Sequence, residues 1–98
     1  MKINVIGGSG FIGTRLCRRL KQAAAVDFSI IDKAASSTFP EKAKITDVRS
    51  VDALRLTVLE NSIIINLAAE HRDDVRPLSL YEDVNVGGAK NLCTIARE

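Results

Sequence analysis

Seven residues near the N-terminus have the types and the spacing of a site for a bound phosphate. The run Gly7-Gly8-Ser9-Gly10-Phe11-Ile12-Gly13 follows a short apolar stretch and precedes residues with helical periodicity. Glycine permits the positive φ of a sharp strand-to-helix turn, and it lets a phosphate approach the backbone. The helix that follows supplies free N–H donors and a partial positive charge. Strand, glycine turn and helix together predict that the pyrophosphate of a dinucleotide binds here.

The glycines fit two spacings. Gly8-x-Gly10-x-x-Gly13 is the standard dinucleotide pattern, and Gly7-x-x-Gly10-x-x-Gly13 is the wider pattern of short-chain dehydrogenases. No Gly-Lys-Ser/Thr sequence ends the run, so a P-loop for nucleoside triphosphates is not indicated. The alternative interpretation is a glycine-rich turn that binds nothing.

Asp32 is the second residue whose position suggests a ligand contact. It ends an apolar stretch and lies nineteen residues after Gly13, the spacing at which a carboxylate accepts hydrogen bonds from the adenosine ribose hydroxyls. A carboxylate there repels a 2′-phosphate, so the sequence favours NAD over NADP. Lys33 and Arg15 argue against this preference, because either cation can pair with a 2′-phosphate. The alternative is an aspartate that only initiates a turn.

Two later segments add weaker signals. We expect Asp47 and Val48 to end the third strand, where a carboxylate can accept from the adenine amino group and a valine can pack on its ring. Leu67-Ala68-Ala69 leaves the fourth strand, and the small side chains there leave room for a cofactor. His71 lies in a charged loop that we interpret as solvated. No second histidine is present, so no metal site is expected.

The elements that position these residues alternate along the chain. We predict strands at residues 3–6, 28–31, 44–48 and 62–67, and helices at residues 10–25, about 51–58 and 78–98. Right-handed crossovers then give an α/β fold, a three-layer αβα Rossmann-like arrangement with a parallel sheet in the order 3-2-1-4. Residues 1–98 form one small domain.

The packing faces of this arrangement make further predictions. Gly88 shares one face of the last helix with Tyr81, Asn85, Leu92 and Ile95, which indicates a close approach of that helix to the sheet or cofactor. The apolar run at 63–65 is typical of a parallel strand covered on both faces. It also forms an outer edge of the predicted sheet, so we expect a homo-oligomer, with this strand as the contact.

Composition limits the class of protein. The 98 residues carry a net charge of +2, too small to indicate nucleic acid or a membrane surface as partner. The chain begins with a strand and has no apolar run of membrane-spanning length, so we expect no signal peptide and a cytoplasmic location. Cys17 and Cys93 lie far apart, and we interpret both as reduced core residues.

The motifs together resemble the N-terminal part of an extended short-chain dehydrogenase/reductase, in the NAD-dependent epimerase/dehydratase family that acts on nucleotide sugars. The resemblance runs over residues 1–98. The motifs that carry it are Gly-Gly-Ser-Gly-Phe-Ile-Gly at 7–13, Asp32, Asp47-Val48, Asn66-Leu67-Ala68-Ala69, and Tyr81 through Asn85-Val86-x-Gly88.

This resemblance implies a set of cofactor contacts. Gly7, Gly10, Phe11, Ile12 and Gly13 would hold the pyrophosphate; Asp32 and Lys33 would meet the adenosine ribose; Asp47 and Val48 would meet adenine; and Leu67, Ala68, Ala69 and Asn85 would line the nicotinamide side.

One departure from the family concerns catalysis. The family uses a tyrosine and a lysine four residues later, whereas here Tyr81 is followed at that spacing by Asn85. We therefore assign no catalytic residue. The sequence predicts the NAD-binding portion of a nucleotide-sugar epimerase or dehydratase, inactive alone and without a substrate domain. Two alternatives are a catalytically silent NAD(P)-binding regulator and an NADP-dependent reductase of non-sugar carbonyl compounds.

Overall fold

The computed structural model describes residues 1–68 and 82–98. These residues form four strands and three α-helices, and the second and third strands are joined without an α-helix between them. The elements are β1 (Lys2–Ile6), α1 (Phe11–Gln22), β2 (Asp27–Asp32), β3 (Ala43–Ile45), α2 (Val51–Thr57), β4 (Ile63–Asn66) and α3 (Gly88–Arg97). A 3₁₀ turn at Pro40–Lys42 precedes β3, and a π-helical turn at Asp83–Gly87 precedes α3.

The sheet is parallel and has the order β3-β2-β1-β4, which confirms the predicted topology. In the middle of the sheet, Val5 of β1 lies opposite Ile30 of β2 and Ile65 of β4. The order reverses at β1, since the chain extends first toward β3 and later toward β4. In such sheets ligands bind at the carboxyl ends of the strands beside that reversal.

Helices cover both faces of the sheet because successive strand residues point to opposite sides. Val5 and Ile30 pack in one apolar cluster with Cys17 of α1. Ile6 and Ile31, the next residues along, pack in a second cluster with residues of α2 and α3. The three layers therefore follow from the consecutive apolar residues near the ends of β1 and β2, Val5-Ile6 and Ile30-Ile31.

A buried asparagine in β1 is a feature that the sequence analysis missed. Asn4 is fully buried, and its Nδ2 donates to Ser62 Oγ at 2.6 Å and to the Ile63 carbonyl oxygen at 3.2 Å. Its Oδ1 accepts from Ser29 Oγ and from the Leu59 N–H, both at 3.3 Å. The side chain thus joins β1, β2 and the start of β4. The sequence contained one signal for this role, which is a polar residue between the apolar residues of β1.

Several predicted boundaries were wrong. Helix α1 ends at Gln22, so Ala24 lies beyond it and is exposed. Strand β3 ends at Ile45, so Asp47 and Val48 follow the strand and do not end it. The reason is local: the Arg49 N–H donates to Asp47 Oδ1 at 2.9 Å. This hydrogen bond closes a turn, which aspartate favours over an extended strand.

The last helix also differs from the prediction. Its described part begins at Glu82 with a π-helical turn before α3, while residues 78–81 lie outside the described residues.

The two cysteines differ in burial. Cys17 is buried as predicted, but Cys93 is exposed, which corrects its assignment to the core. The inner face of the last helix is formed by Val84, Gly88 and Leu92. Cys93 is the next residue after Leu92, so its side chain is turned about 100° away from this face.

Strand β4 lies at an edge of the sheet formed by the described residues, as predicted. The expectation that its isoleucines are covered on both faces was wrong for Ile63, whose side chain is 46% exposed. Ile64 and Ile65 are half-buried and pack on opposite clusters. Within residues 1–68 and 82–98, no helix is long and apolar enough to cross a membrane.

Candidate functional site

A cavity of about 490 Å³ opens at the carboxyl ends of the strands, beside the reversal in strand order. The glycine loop, the end of β2, the segment after β3, the segment after β4 and the π-helical turn all contribute to it. Its lining residues are Gly7, Gly10, Phe11, Ile12, Gly13, Ile31, Asp32, Lys33, Thr46, Asp47, Val48, Leu67, Ala68 and Val84.

The glycine loop folds against neighbouring backbone at Gly7 and Gly13. Gly7 has a φ of +80°, and a Cβ there would lie 2.7 Å from the Ala68 nitrogen. A Cβ at Gly13 would lie 2.5 Å from the Gly8 Cα and 2.6 Å from the Gly7 carbonyl oxygen. Both positions therefore require glycine for the loop to pack against α1 and against the segment after β4.

Gly10 differs from these glycines because no atom of residues 1–68 and 82–98 crowds it. Its φ of −77° and ψ of −176° suit any residue, and an added Cβ would approach only the Gly7 carbonyl oxygen, at 3.5 Å. Gly10 lines the cavity, so the space that a side chain would occupy is available to a ligand. Folding alone does not explain a glycine at this position.

The start of α1 is suited to an anion. Gly10 is its N-cap residue, no side chain caps the helix, and its first turn contains no acidic residue. The first N–H groups of an α-helix lack partners within the helix, and the helix dipole favours negative charge at this end. With Gly10 open beside them, these donors can hold a phosphate group.

Asp32 lies at the end of β2 and contacts the glycine loop. Its Oδ2 accepts from the Ser9 N–H at 3.0 Å, and its Oδ1 accepts from the Ala34 N–H at 3.1 Å. The Ser9 hydroxyl donates to the Ala34 carbonyl oxygen at 2.8 Å. The carboxylate is thus fixed in direction where β2 meets the loop.

Asp47 is paired with Arg49. Arg49 Nη2 lies 2.6 Å from Asp47 Oδ2, and Arg49 Nε lies within 3.1 Å of both carboxylate oxygens. The hydrogen bond from Arg49 holds the pKa of Asp47 below its ordinary value, and the nearby charge of Lys33 adds to this lowering. Lys33 lines the cavity, whereas Arg15 stacks on the Phe11 ring, with its guanidinium carbon 4.5 Å from the ring centroid.

Val48 forms an apolar part of the cavity wall and is held by the last helix. A Cβ on Gly88 would lie 2.7 Å from Val48 Cγ2, so this helix closely approaches the segment after β3. Asn91 Nδ2 donates to the Val48 carbonyl oxygen at 2.9 Å. These two contacts fix both the side chain and the main chain of Val48.

Thr46 is a lining residue that the sequence analysis missed. It is 5% exposed, and its Oγ1 is the buried side-chain polar atom of the described residues that has no hydrogen-bond partner. An unpaired buried hydroxyl costs on the order of 1–3 kcal/mol unless a ligand or water satisfies it. Ile31 and Val84 were also missed, because apolar residues in a strand or helix are indistinguishable by sequence from ordinary core residues.

The cavity contains most of the predicted contact residues. Leu67 and Ala68 line it, while Ala69 lies outside the described residues. Among the described residues, Asn85 is the predicted contact that does not line it. Asn85 is half-buried in the π-helical turn, whose preceding residue Val84 is buried and lines the cavity instead.

The chain is similar to a curated epimerase and to solved structures of the same fold. The chain is 48% identical over 90 residues to the N-acetyl-alpha-D-glucosaminyl-diphospho-ditrans,octacis-undecaprenol 4-epimerase of Escherichia coli O157:H7. The match covers 90% of this chain and 26% of that enzyme, so the chain spans about a quarter of the length of this curated relative.

Solved structures share the fold. Among them are the Thermus thermophilus UDP-glucose 4-epimerase in complex with NAD (TM-score 0.82, 23% identity) and a short-chain dehydrogenase/reductase superfamily protein from Agrobacterium tumefaciens with bound NAD (TM-score 0.86, 21% identity). The first match covers 99% of this chain and 34% of that one, and the second covers 98% and 29%. The model of the NAD dependent epimerase/dehydratase family matches residues 3–98, and the chain belongs to this family.

Proposed function

We propose that this chain binds NAD in the cavity at the carboxyl ends of the strands. We further propose that it supplies the cofactor-binding part of an epimerase or dehydratase whose substrate is a sugar carried on a diphosphate. One observation carries the proposal: predicted contact residues from four separate segments of the chain line the same cavity. The glycine loop, Asp32 and Asp47 meet at the carboxyl ends of the strands, which is where folds of this kind bind dinucleotides.

Each part of the cofactor has a proposed set of contacts. The pyrophosphate lies on the glycine loop and the start of α1, and the adenosine ribose lies against Asp32 and Lys33. Adenine lies against Asp47 and Val48. Leu67 and Ala68 line the nicotinamide side, and Ala69 and Asn85 complete the proposed set there.

The shape of the glycine loop also fits a dinucleotide. Gly10 leaves open space beside uncapped helix donors, as a phosphate requires. Thr46 lines the wall beside Asp47, and its hydroxyl is buried and unpaired. A structural turn that binds nothing does not explain the open space at Gly10.

NAD supplies hydride transfer when bound, and an epimerase returns the hydride to the sugar. This chain's own residues bind and orient the dinucleotide through the loop and Asp32. The chain contains no Tyr-x-x-x-Lys, so we propose that it has no turnover alone and acts as a single cofactor-binding domain. The motifs predict a nucleotide-sugar substrate, whereas the curated relative is named for a sugar diphosphate on undecaprenol. The diphosphate-linked sugar is common to both.

Calorimetric titration with NAD tests the proposal on the chain itself. Gly10→Ala fills the open space without a clash in the protein, so we expect an unchanged melting temperature and an NAD Kd raised by about tenfold or more, equivalent to about 1.4 kcal/mol. Gly87→Ala is the matched control, because a Cβ at Gly87 meets nothing within 4 Å and Gly87 does not line the cavity. Absence of NAD binding by the unmodified chain, or unchanged binding by Gly10→Ala, would contradict the proposal.

The same titration with NADP addresses a second function. Lys33 lines the cavity beside Asp32, which is the observation that favours an NADP-dependent reductase of non-sugar carbonyls. Tighter binding of NADP than of NAD would support that alternative. A silent NAD-binding regulator shares the binding properties of our proposal, and turnover of diphosphate-linked sugars by an enzyme that contains this domain separates the two.

We also propose that the chain self-associates through β4. This strand is at the sheet edge of the described residues, and Ile63 is 46% exposed there. A charge on an edge strand opposes strand pairing, so Ile63→Lys is expected to reduce the mass measured by light scattering. Ile45→Lys is the control, because Ile45 is an exposed isoleucine on β3 at the opposite edge. A monomeric unmodified chain at high concentration would contradict this proposal.

A further inference from the structure

Ser9 makes two contacts that join the glycine loop to the segment after β2. Its N–H donates to Asp32 Oδ2 at 3.0 Å, and its hydroxyl donates to the Ala34 carbonyl oxygen at 2.8 Å. The Ala34 N–H completes the arrangement by donating to Asp32 Oδ1 at 3.1 Å. Ser9, Asp32 and Ala34 thus form a closed ring of hydrogen bonds, which we call the Ser9 ring.

The Ser9 ring leaves Asp32 able to bind a further ligand. A carboxylate has about four lone-pair positions, and the two N–H donors use one on each oxygen. Asp32 lines the cavity, while Ser9 and Ala34 do not. The main-chain donors therefore fix the direction of the carboxylate from outside the cavity.

The hydroxyl of Ser9 is the part of the ring that a substitution can remove. Residues 33–35, which follow Asp32, are exposed, so few packing contacts restrain this segment. Without the bond to the Ala34 carbonyl oxygen, Ser9 keeps its N–H bond to the Asp32 carboxylate but no longer holds the main chain of this segment. Its orientation then varies more, and the orientation of Asp32 varies with it.

The charge at this end of the cavity depends on which side chain faces it. Asp32 presents a carboxylate, and the next residue, Lys33, lines the same cavity and has a cationic side chain. A fixed carboxylate accepts hydrogen bonds from a ribose diol and repels a 2′-phosphate. A segment that can reorient lets Lys33 approach the phosphate and weakens that repulsion.

We infer that Ser9 is a positioning residue for cofactor selectivity: its hydroxyl holds the segment after β2 so that Asp32 discriminates NAD from NADP. This inference rests on the proposed NAD-binding function. Ser9 acts through Asp32 and Ala34 and does not itself line the cavity.

Calorimetry of three variants tests the inference with NAD and NADP as the probes. Ser9→Ala is expected to weaken NAD binding by about three- to tenfold and to reduce the ratio of NADP Kd to NAD Kd by a similar factor, consistent with the loss of one hydrogen bond. Ser9→Thr retains a hydroxyl and is expected to restore the ratio. Ser37→Ala removes an exposed hydroxyl from the same loop and is expected to change nothing.

A ligand-free measurement provides a second readout. Amide hydrogen exchange followed by NMR is expected to be faster at residues 9 and 34 in Ser9→Ala than in the unmodified chain, with Ser37→Ala unchanged. In the Asp32→Asn background, Ser9→Ala is expected to have no further effect on the NADP to NAD ratio.

The outcomes separate the two proposals. If the unmodified chain binds neither dinucleotide, the proposed function fails and the inference fails with it. If the chain binds NAD but Ser9→Ala retains the same ratio of dissociation constants, the inference alone is overturned. A lower melting temperature with an unchanged ratio would likewise assign Ser9 only a structural role.

Discussion

The Asn91 side chain donates a hydrogen bond to the main-chain carbonyl oxygen of Val48 at 2.9 Å, and this bond joins the last helix to the wall of the cavity. One turn earlier in the same helix, Gly88 lies against the Val48 side chain. Helix α3 therefore supports a residue of the candidate site without contributing a lining residue of its own. The geometry of the proposed adenine wall depends on helix packing as well as on the loop that contains Val48.

Substitution of Gly88 should therefore act through Val48. Gly88→Ala places a Cβ 2.7 Å from Val48 Cγ2, and overpacking of this kind costs about 1–3 kcal/mol, partly offset by the roughly 1 kcal/mol that alanine contributes in a helix. We expect a net loss in the free energy of unfolding, measured by urea denaturation. The double variant Gly88→Ala with Val48→Ala should recover more stability than the two separate effects predict, and purely additive effects would contradict the proposed contact.

Gly13→Ala should unfold or severely destabilise the protein. A Cβ there would lie 2.5 Å from the Gly8 Cα and 2.6 Å from the Gly7 carbonyl oxygen, both backbone atoms that cannot move independently. We expect a loss of about 3 kcal/mol or more, at the upper end of overpacking effects. Gly10→Ala in the same motif is the control and should melt as the unmodified chain does. Equal melting temperatures for the two variants would show that the loop packs differently.

Asn4→Ala should destabilise the sheet by at least about 2 kcal/mol, because it removes the partner of one buried and one part-buried hydrogen-bond donor. The groups affected are the Ser29 hydroxyl and the Leu59 N–H, which both donate to Asn4 Oδ1. Ser62→Ala is the matched control: Asn4 then keeps its bond to the Ile63 carbonyl oxygen, so we expect a smaller loss. Urea denaturation measures both, and an Asn4→Ala effect no larger than that of Ser62→Ala would contradict this account.

The Asp47–Arg49 pair should contribute a small, pH-dependent stability. The hydrogen bond from Arg49 lowers the pKa of Asp47 in the folded state, whereas the pKa in the unfolded chain stays near its ordinary value of about 3.9. The contribution is therefore complete above about pH 4 and is lost as the pH falls through the lower, folded pKa. Because Asp47 and Arg49 are 34% and 45% exposed, we expect less than about 1 kcal/mol.

Urea denaturation of the unmodified chain and of Asp47→Asn, at pH 7 and near pH 2, measures this contribution. The difference in the free energy of unfolding between the two proteins should shrink at the lower pH. A difference that grows on acidification would have the wrong sign for a lowered pKa.

The two cysteines should react at very different rates. Cys17 is fully buried, and burial raises the pKa of its thiol to about 11, so little thiolate forms at pH 8. Cys93 is exposed on α3. Alkylation of the native chain at pH 8 should label one thiol quickly, and mass spectrometry should locate it at Cys93. In Cys93→Ser, labelling should require urea, and rapid labelling of Cys17 in the native variant would contradict its burial.

The sequence by itself determined the strand-to-helix glycine turn, the place of Asp32 at the end of β2 and the parallel order of the four strands. Hydrophobic periodicity and turn chemistry depend on neighbouring residues, and the right-handed crossover rule extends them to the sheet. The tertiary structure decided which side chains meet across the chain: Asn4 with Ser62, 58 residues apart, and Asn91 with Val48, 43 residues apart. It also decided that Thr46 lines the cavity with an unpaired hydroxyl and that Cys93 lies outside the core. Such contacts depend on helix rotation and on side-chain packing between distant segments, and no local pattern in the chain specifies either.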